Sequence, residues 1–146
     1  MEKILLYIWQ LPQNLLALCI MLVCRIIYGK ARTEMYKGVK YLWYDGWRNG
    51  VSLGNYVLLG TVYERDDIVK HEWGHTCQSR EQGWLYLIFT GIPSGLGNLY
   101  DRIVRTKKNG WTWEESTKAY YSMPWEKRAD EYGGTSWEEH IKKPEN

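Results

Sequence analysis

The 146-residue sequence predicts one domain of the α+β class. Three observations lead there: an apolar N-terminal stretch, strand-like sequence between about residues 36 and 63, and a succession of helix start and stop signals from Asp66 onward. A chain that is 45% hydrophobic and 25% charged can bury a core, which excludes wholesale disorder, a coiled coil and a collagen-like repeat. Nineteen basic against 17 acidic residues leave a net charge of +2, which gives no electrostatic case for a nucleic-acid partner. Three cysteines (Cys19, Cys24, Cys77) with no C-x-x-C pair argue against a disulfide framework and a zinc ribbon. Nine Trp and twelve Tyr against one Phe favour grooves and interfaces, where an apolar ring with a polar handle is useful.

The chain divides into an apolar N-terminal helical segment (1–30), a main domain (31–141) and a polar tail (142–146). From Ile4 to Tyr28, 20 of 25 positions are apolar, interrupted by Gln10, Pro12, Gln13 and Asn14, and the clean run Leu15 to Cys24 ends at Arg25. A spanning helix needs about 20 such residues. Three readings stay open: membrane contact through residues 4–28, spanning or interfacial; a buried or partner-facing helix; and a cleaved signal. If the segment spans, Arg25, Lys30, Arg32, Lys37 and Lys40 after it, against Lys3 before it, place the main domain on the cytoplasmic side. Unpaired cysteines suit that reducing compartment. Otherwise the protein is cytoplasmic.

Val39 to Tyr44 and the loosely alternating Val51 to Leu59 read as strands of a hairpin or small sheet, with Asp45-Gly46 and Asn49-Gly50 as turns and Gly60 as the end. Asp66 or Asp67 can cap a helix running to about Gln82, with Gly83 as its stop. Trp84 to Phe89 reads as a buried helix, Gly91 to Gly97 as a loop, and Leu99 to Lys107 as a helix ended by Asn109-Gly110. Thr112 and Glu115 form a capping box for a helix from Trp113. Pro124 suits the first position of a further helix, about 124 to 132, stopped by Gly133-Gly134.

One motif carries chemistry. His71-Glu72-Trp73-Gly74-His75 is H-E-x-x-H within the predicted Asp66 helix. Residues at i and i+4 share one helix face, so both imidazoles can reach one metal ion. Glu72 sits on the adjoining flank, where a carboxylate can take a proton from a metal-activated water. A catalytic site needs a third protein ligand and an open position. Glu126 and Asp130, also at i and i+4, suit it: one carboxylate binds the metal while the other holds a ligating histidine through its distal ring nitrogen. Glu131, Glu115, Glu114 and His140 are alternative ligands, with His140 close to the expected frayed tail.

Paired with a later E-x-x-A-D helix, this motif resembles the gluzincin branch of zinc metallopeptidases, most closely its short members. His71 to Arg80 and Pro124 to Gly134 also resemble a group of small bacterial proteins. The resemblance implies a zincin-like fold with a small sheet on the active helix, and Zn2+ held by His71, His75 and Glu126. It implies Glu72 as general base and Asp130 as a histidine's partner. It also implies a substrate-side edge strand at Val51 to Leu59. An oxyanion donor besides the metal is also needed, and Tyr120 or Tyr121 could supply it. The expected function is a zinc-dependent hydrolase, an endopeptidase acting on a peptide or protein substrate. The alternatives are a non-catalytic zinc-binding interaction module, or an accessory protein whose histidine pair is incidental. Two histidines and a carboxylate also suit iron.

Overall fold

A computed structural model describes residues 2–142. Most of the expected polar tail, 143–146, lies outside the described residues. The chain folds as a mixed α+β domain. Helices α1 (Glu2–Trp9) and α2 (Leu11–Tyr28) break at Gln10, with Pro12 in the first turn of α2. Four strands follow: β1 (Arg32–Tyr36), β2 (Val39–Tyr44), β3 (Gly50–Leu53) and β4 (Tyr56–Gly60). Then come α3 (Asp66–Gln82), a long helical rod ending at Lys108, α5 (Trp113–Tyr121), α6 (Pro124–Gly133) and α7 (Trp137–Ile141). The central part of the rod is α4 (Ile92–Tyr100), flanked by wider π-type turns at Leu87–Gly91 and Asp101–Lys108.

The sheet order is β1-β2-β4-β3, with β2 and β4 parallel and the two outer pairs antiparallel. Lys37 and Gly38 both take positive φ, the backbone a tight β1–β2 hairpin requires. The expected single strand Val51 to Leu59 is instead a hairpin, turning at Gly54-Asn55 rather than at Asn49-Gly50. Gly54 has φ +62, and Asn14 of α2 comes so close that a Cβ there would clash.

Both sheet faces are covered, which explains why β2 and β4 read as nearly unbroken apolar runs. Val39, Tyr41, Trp43, Val57 and Leu59 pack against Ile68, Val69 and Trp73 of α3. Leu42, Tyr44, Leu53 and Leu58 pack against Ala17 and Cys24 of α2 and against Tyr86. The layers are therefore α2, sheet and α3, with β3 as the edge strand nearest the H-E-x-x-H motif.

Several expectations change here. The residue before α3 is Arg65, without a side-chain cap, and Asp66 and Asp67 occupy the first helical turn, where their charge still favours the helix dipole. Trp84 to Phe89 is not buried as a whole: Trp84, Leu85, Ile88 and Phe89 are all more than half exposed, while Tyr86 enters the core and Leu87 packs against it. Gly91 to Gly97 is helical rather than a loop, since Pro93 falls at a tolerated first-turn position and the small residues admit close neighbours. The capping box at Thr112 and Glu115, the Pro124 start of α6 and the left-handed Gly134 after it are as the sequence implies.

Candidate metal centre

The centre lies where α3 meets α6. The two helices touch backbone to backbone because glycine stands at both crossing points. A Cβ on Gly74 would lie 1.9 Å from the Ala129 carbonyl oxygen, and one on Gly133 would lie 2.3 Å from that of Lys70. That approach sets Glu126 and Asp130 of α6 beside His71 and His75 of α3.

Hydrogen bonding fixes the direction of each ring. His71 Nδ1 is 2.6 Å from Asp130 Oδ1, an acceptor. His75 Nδ1 is 2.7 Å from Gln78 Oε1, and the Gln78 amide nitrogen donates to the Trp125 carbonyl, which identifies Oε1 as the oxygen. Each Nδ1 therefore carries a hydrogen, so that, in the neutral form a metal ligand requires, each ring turns its Nε2 lone pair outward. Both lone pairs point at one atom: Glu126 Oε2 lies 3.1 Å from His71 Nε2 and 3.2 Å from His75 Nε2. Ligands about 2.05 Å from a tetrahedral ion are separated by roughly 3.3 Å. The other oxygen, Glu126 Oε1, is buried with no hydrogen-bond partner. Three converging lone pairs and an orphaned buried carboxylate oxygen call for a cation, and the three side chains could hold a metal ion.

The electrostatics agree. Burial disfavours the Glu126 carboxylate, but His75 and His71 outweigh it and hold its pKa far below the usual range. For His71, burial opposes the charged form, yet Asp130 and Glu126 prevail and raise the pKa to about 10. A proton thus takes the place of the cation when none is bound.

Behind the histidines runs a chain of buried groups. Asp130 Oδ1 also lies 2.9 Å from His140 Nε2, and His140 Nδ1 lies 2.8 Å from Asp67 Oδ2. Arg65 makes two 3.0 Å hydrogen bonds to Asp67 and a third to the Glu139 carbonyl. Both His140 nitrogens face carboxylates, so both donate and the ring is cationic. Burial lowers its pKa, but the bonds to Asp130 and Asp67 raise it further. With His71 and His75 neutral, as metal ligands must be, the carboxylates of Asp67, Glu72, Glu126 and Asp130 against Arg65 and His140 leave two unbalanced negative charges. A divalent cation matches that deficit.

On the sheet side, Ser52 Oγ of edge strand β3 lies 2.6 Å from Glu72 Oε2 and fixes the carboxylate beside the histidines. Tyr86 donates to the Ser52 carbonyl, anchoring the strand in turn. Tyr121 stacks on His140 at 4.0 Å and meets His71 edge-on at 4.9 Å, so it is a packing wall. The Tyr120 hydroxyl lies 3.2 Å from Ser94 Oγ. Burial and the Glu126 charge raise its pKa, so it stays a neutral donor.

The structure brings His71, Glu72, His75, Glu126 and Asp130 together, with Tyr120 and Tyr121 alongside. Glu114, Glu115 and Glu131 are exposed, and Glu115 is occupied by its capping box with Thr112. Sequence reasoning missed Ser52, Gln78, Arg65 and the roles of Asp67 and His140. His140 is buried rather than near a fraying end. Trp137 and Ile141, at helical spacing around it, were the available signal of a helix that packs. A second trio, His71, Asp130 and His140, also meets the distance requirement for a metal. There, however, both rings donate to Asp130 Oδ1 at 2.6 and 2.9 Å, and no buried carboxylate oxygen is left without a partner as Glu126 Oε1 is. No protein-family model, curated protein or solved structure matches the chain.

Proposed function

We propose that the protein is a small metal-dependent hydrolase with a zincin-like arrangement, an endopeptidase using Zn2+ held by His71, His75 and Glu126. The observation that carries this reading is the convergence of two Nε2 lone pairs and Glu126 Oε2 beside a carboxylate, Glu72, that no structural metal site would need. Zinc held there by His71, His75 and Glu126 would supply Lewis acidity and make water acidic enough to lose a proton near neutral pH. Glu72, oriented by Ser52, accepts the proton of the attacking water and passes it to the departing amine. The Tyr120 phenol donates to the oxyanion that develops on the scissile carbonyl. Asp130 keeps the hydrogen of His71 on Nδ1, and Gln78 does the same for His75. Strand β3 is an edge strand of the sheet beside the centre, which supports an extended polypeptide as substrate.

The test is Glu72→Gln. The variant is expected to retain about one metal ion per chain by elemental analysis and to lose cleavage of an unfolded protein substrate by at least about a thousandfold. Cleavage at the wild-type rate would refute the assignment. If the wild type itself binds metal and cleaves nothing across a broad peptide library, the centre belongs to an interaction module instead.

A further inference from the structure

Helix α2 buries its uncharged polar residues and exposes much of its apolar surface. Its inward face carries Gln13 and Asn14: Gln13 Nε2 donates to the Gly83 carbonyl, and Asn14 Oδ1 accepts from the Asn55 backbone and side-chain amides. Its outward face carries Leu11, Leu15, Leu18, Leu22 and Ile26, one helical stripe, every member exposed. A helix facing water has the opposite pattern.

The segment after α3 extends the same apolar surface. Trp84, Leu85, Ile88, Phe89, Ile92 and Leu96 are each more than half exposed. No charged residue occurs from Ile4 to Cys24 or from Trp84 to Tyr100. The two apolar segments adjoin, because Trp84 Nε1 donates to the Ile8 carbonyl and Trp9 Nε1 to that of Arg80. An apolar cleft of about 380 Å³ opens on the same helices, lined by Ile4, Ile8, Leu11, Leu15, Leu18 and Tyr56. Each run is followed by basic residues: Arg25 and Lys30 after the first, Arg102, Lys107 and Lys108 after the second, all exposed.

We infer that α1, α2 and the rod from Trp84 to about Ile103 form one surface that seats the protein in the plane of a bilayer containing anionic lipid. The apolar side chains enter the acyl boundary, Trp9 and Trp84 lie at headgroup level, and the basic residues meet lipid phosphates. The cleft takes part of an acyl chain. By length and composition α2 alone could cross a membrane. It does not do so here, because from Gln13 to Cys24, roughly 17 Å of helix, it is fastened to a sheet whose β1 exposes Arg32 and Glu34. Crossing would drag those charges into hydrocarbon. Charge complementarity favours this occupant over a second copy, since each apolar run ends in basic residues that two identical faces would set against one another. The inference is independent of the metal centre.

The test is co-sedimentation of the full chain with vesicles of 70% phosphatidylcholine and 30% phosphatidylglycerol. Leu18→Glu/Leu22→Glu and Ile88→Glu/Ile92→Glu each change only exposed positions, and an unchanged circular dichroism spectrum and Tm report an intact fold. Wild type is expected to sediment and to be released by alkaline carbonate, as an in-plane protein is. Each double variant should bind at least about tenfold more weakly, and Lys107→Gln/Lys108→Gln should lower binding to anionic vesicles toward its level on neutral ones. Three results would overturn the proposal: wild-type binding by the Ile88/Ile92 variant, resistance to carbonate extraction, or a wild type that ignores vesicles and is a dimer that Leu18→Glu/Leu22→Glu makes monomeric.

Discussion

Replacing Gly74 by alanine adds one methyl group to the unspecified part of the H-E-x-x-H motif, yet the structure expects it to destroy the centre. The new Cβ would start 1.9 Å from the Ala129 carbonyl oxygen, where real Cβ contacts are essentially never under 3.0 Å. Helices α3 and α6 must therefore separate by about 1.1 Å, since both contacting groups are backbone and no rotamer can relieve them. Metal–ligand distances tolerate about 0.2 Å, so Glu126 would leave the reach of a cation held by His71 and His75. Alanine's better helix propensity returns about 1 kcal/mol, against about 1–3 kcal/mol for overpacking. The expected result is a folded or mildly destabilised protein that has lost metal at least a hundredfold in affinity, read by titration with a competing chelator. Gly95→Ala is the control, as nothing lies within 4 Å of its Cβ position in α4, and it should stabilise by about 0.5–1 kcal/mol while binding metal normally. A Gly74→Ala protein with wild-type metal affinity would show that the α3–α6 contact does not set the ligand geometry.

Asp130→Ala leaves the His71 Nδ1–H and the His140 Nε2–H without their acceptor, and metal affinity should fall about 10- to 100-fold; an unchanged dissociation constant would separate Asp130 from the centre. Metal binding should also depend on pH. In the metal-free protein His71 titrates near 10 instead of 6.5, so its protonation stabilises the fold fully below about 6.5 and ceases to do so as pH rises through about 10. The metal needs the neutral ring, so apparent affinity should rise about tenfold per pH unit between those values and level off above, in calorimetric titrations; a flat profile would contradict the His71 assignment.

The parts of the fold visible in the sequence are those set by local chemistry. The limits of α3 follow from an acidic first turn and a glycine at φ +55, and those of α6 from Pro124 and the left-handed Gly134. The pairing of His71 and His75 with Glu126 was legible because helical spacing makes each helix's face predictable even when the distance between the helices is not. What was hidden depends on layers. Whether Trp84 to Phe89 faces core or surroundings cannot be read from a run that is apolar on every side, because the packing of Tyr86 and Leu87 chooses the inward direction. The single strand expected at Val51 to Leu59 hid a hairpin, since Gly54-Asn55 sits inside the apolar alternation and its reason is Asn14, forty residues earlier in the chain. Ser52 and Gln78 carry no motif; their task exists only once β3 and α6 have docked on α3.

Removing the cation tests whether the centre also holds the fold together. His71 and His75 lie on α3 and Glu126 on α6, so a bound ion ties together the two helices with the closest backbone contact in the site. At a free concentration a thousandfold above the dissociation constant, such an ion contributes about 4 kcal/mol, which for a chain of this size is roughly 10 °C in Tm. Chelation should lower Tm by less at pH 6 than at pH 8. The His71 proton offsets the Glu126 charge at both values when no metal is bound, and displacing it costs about a hundredfold more in apparent affinity at pH 6. Measuring Tm with and without chelator at both values separates two models. A smaller shift at pH 6 places the ion between α3 and α6. Equal shifts, with metal loss verified by elemental analysis, would place it on groups that do not titrate in this range and would empty the His71, His75 and Glu126 centre of its role.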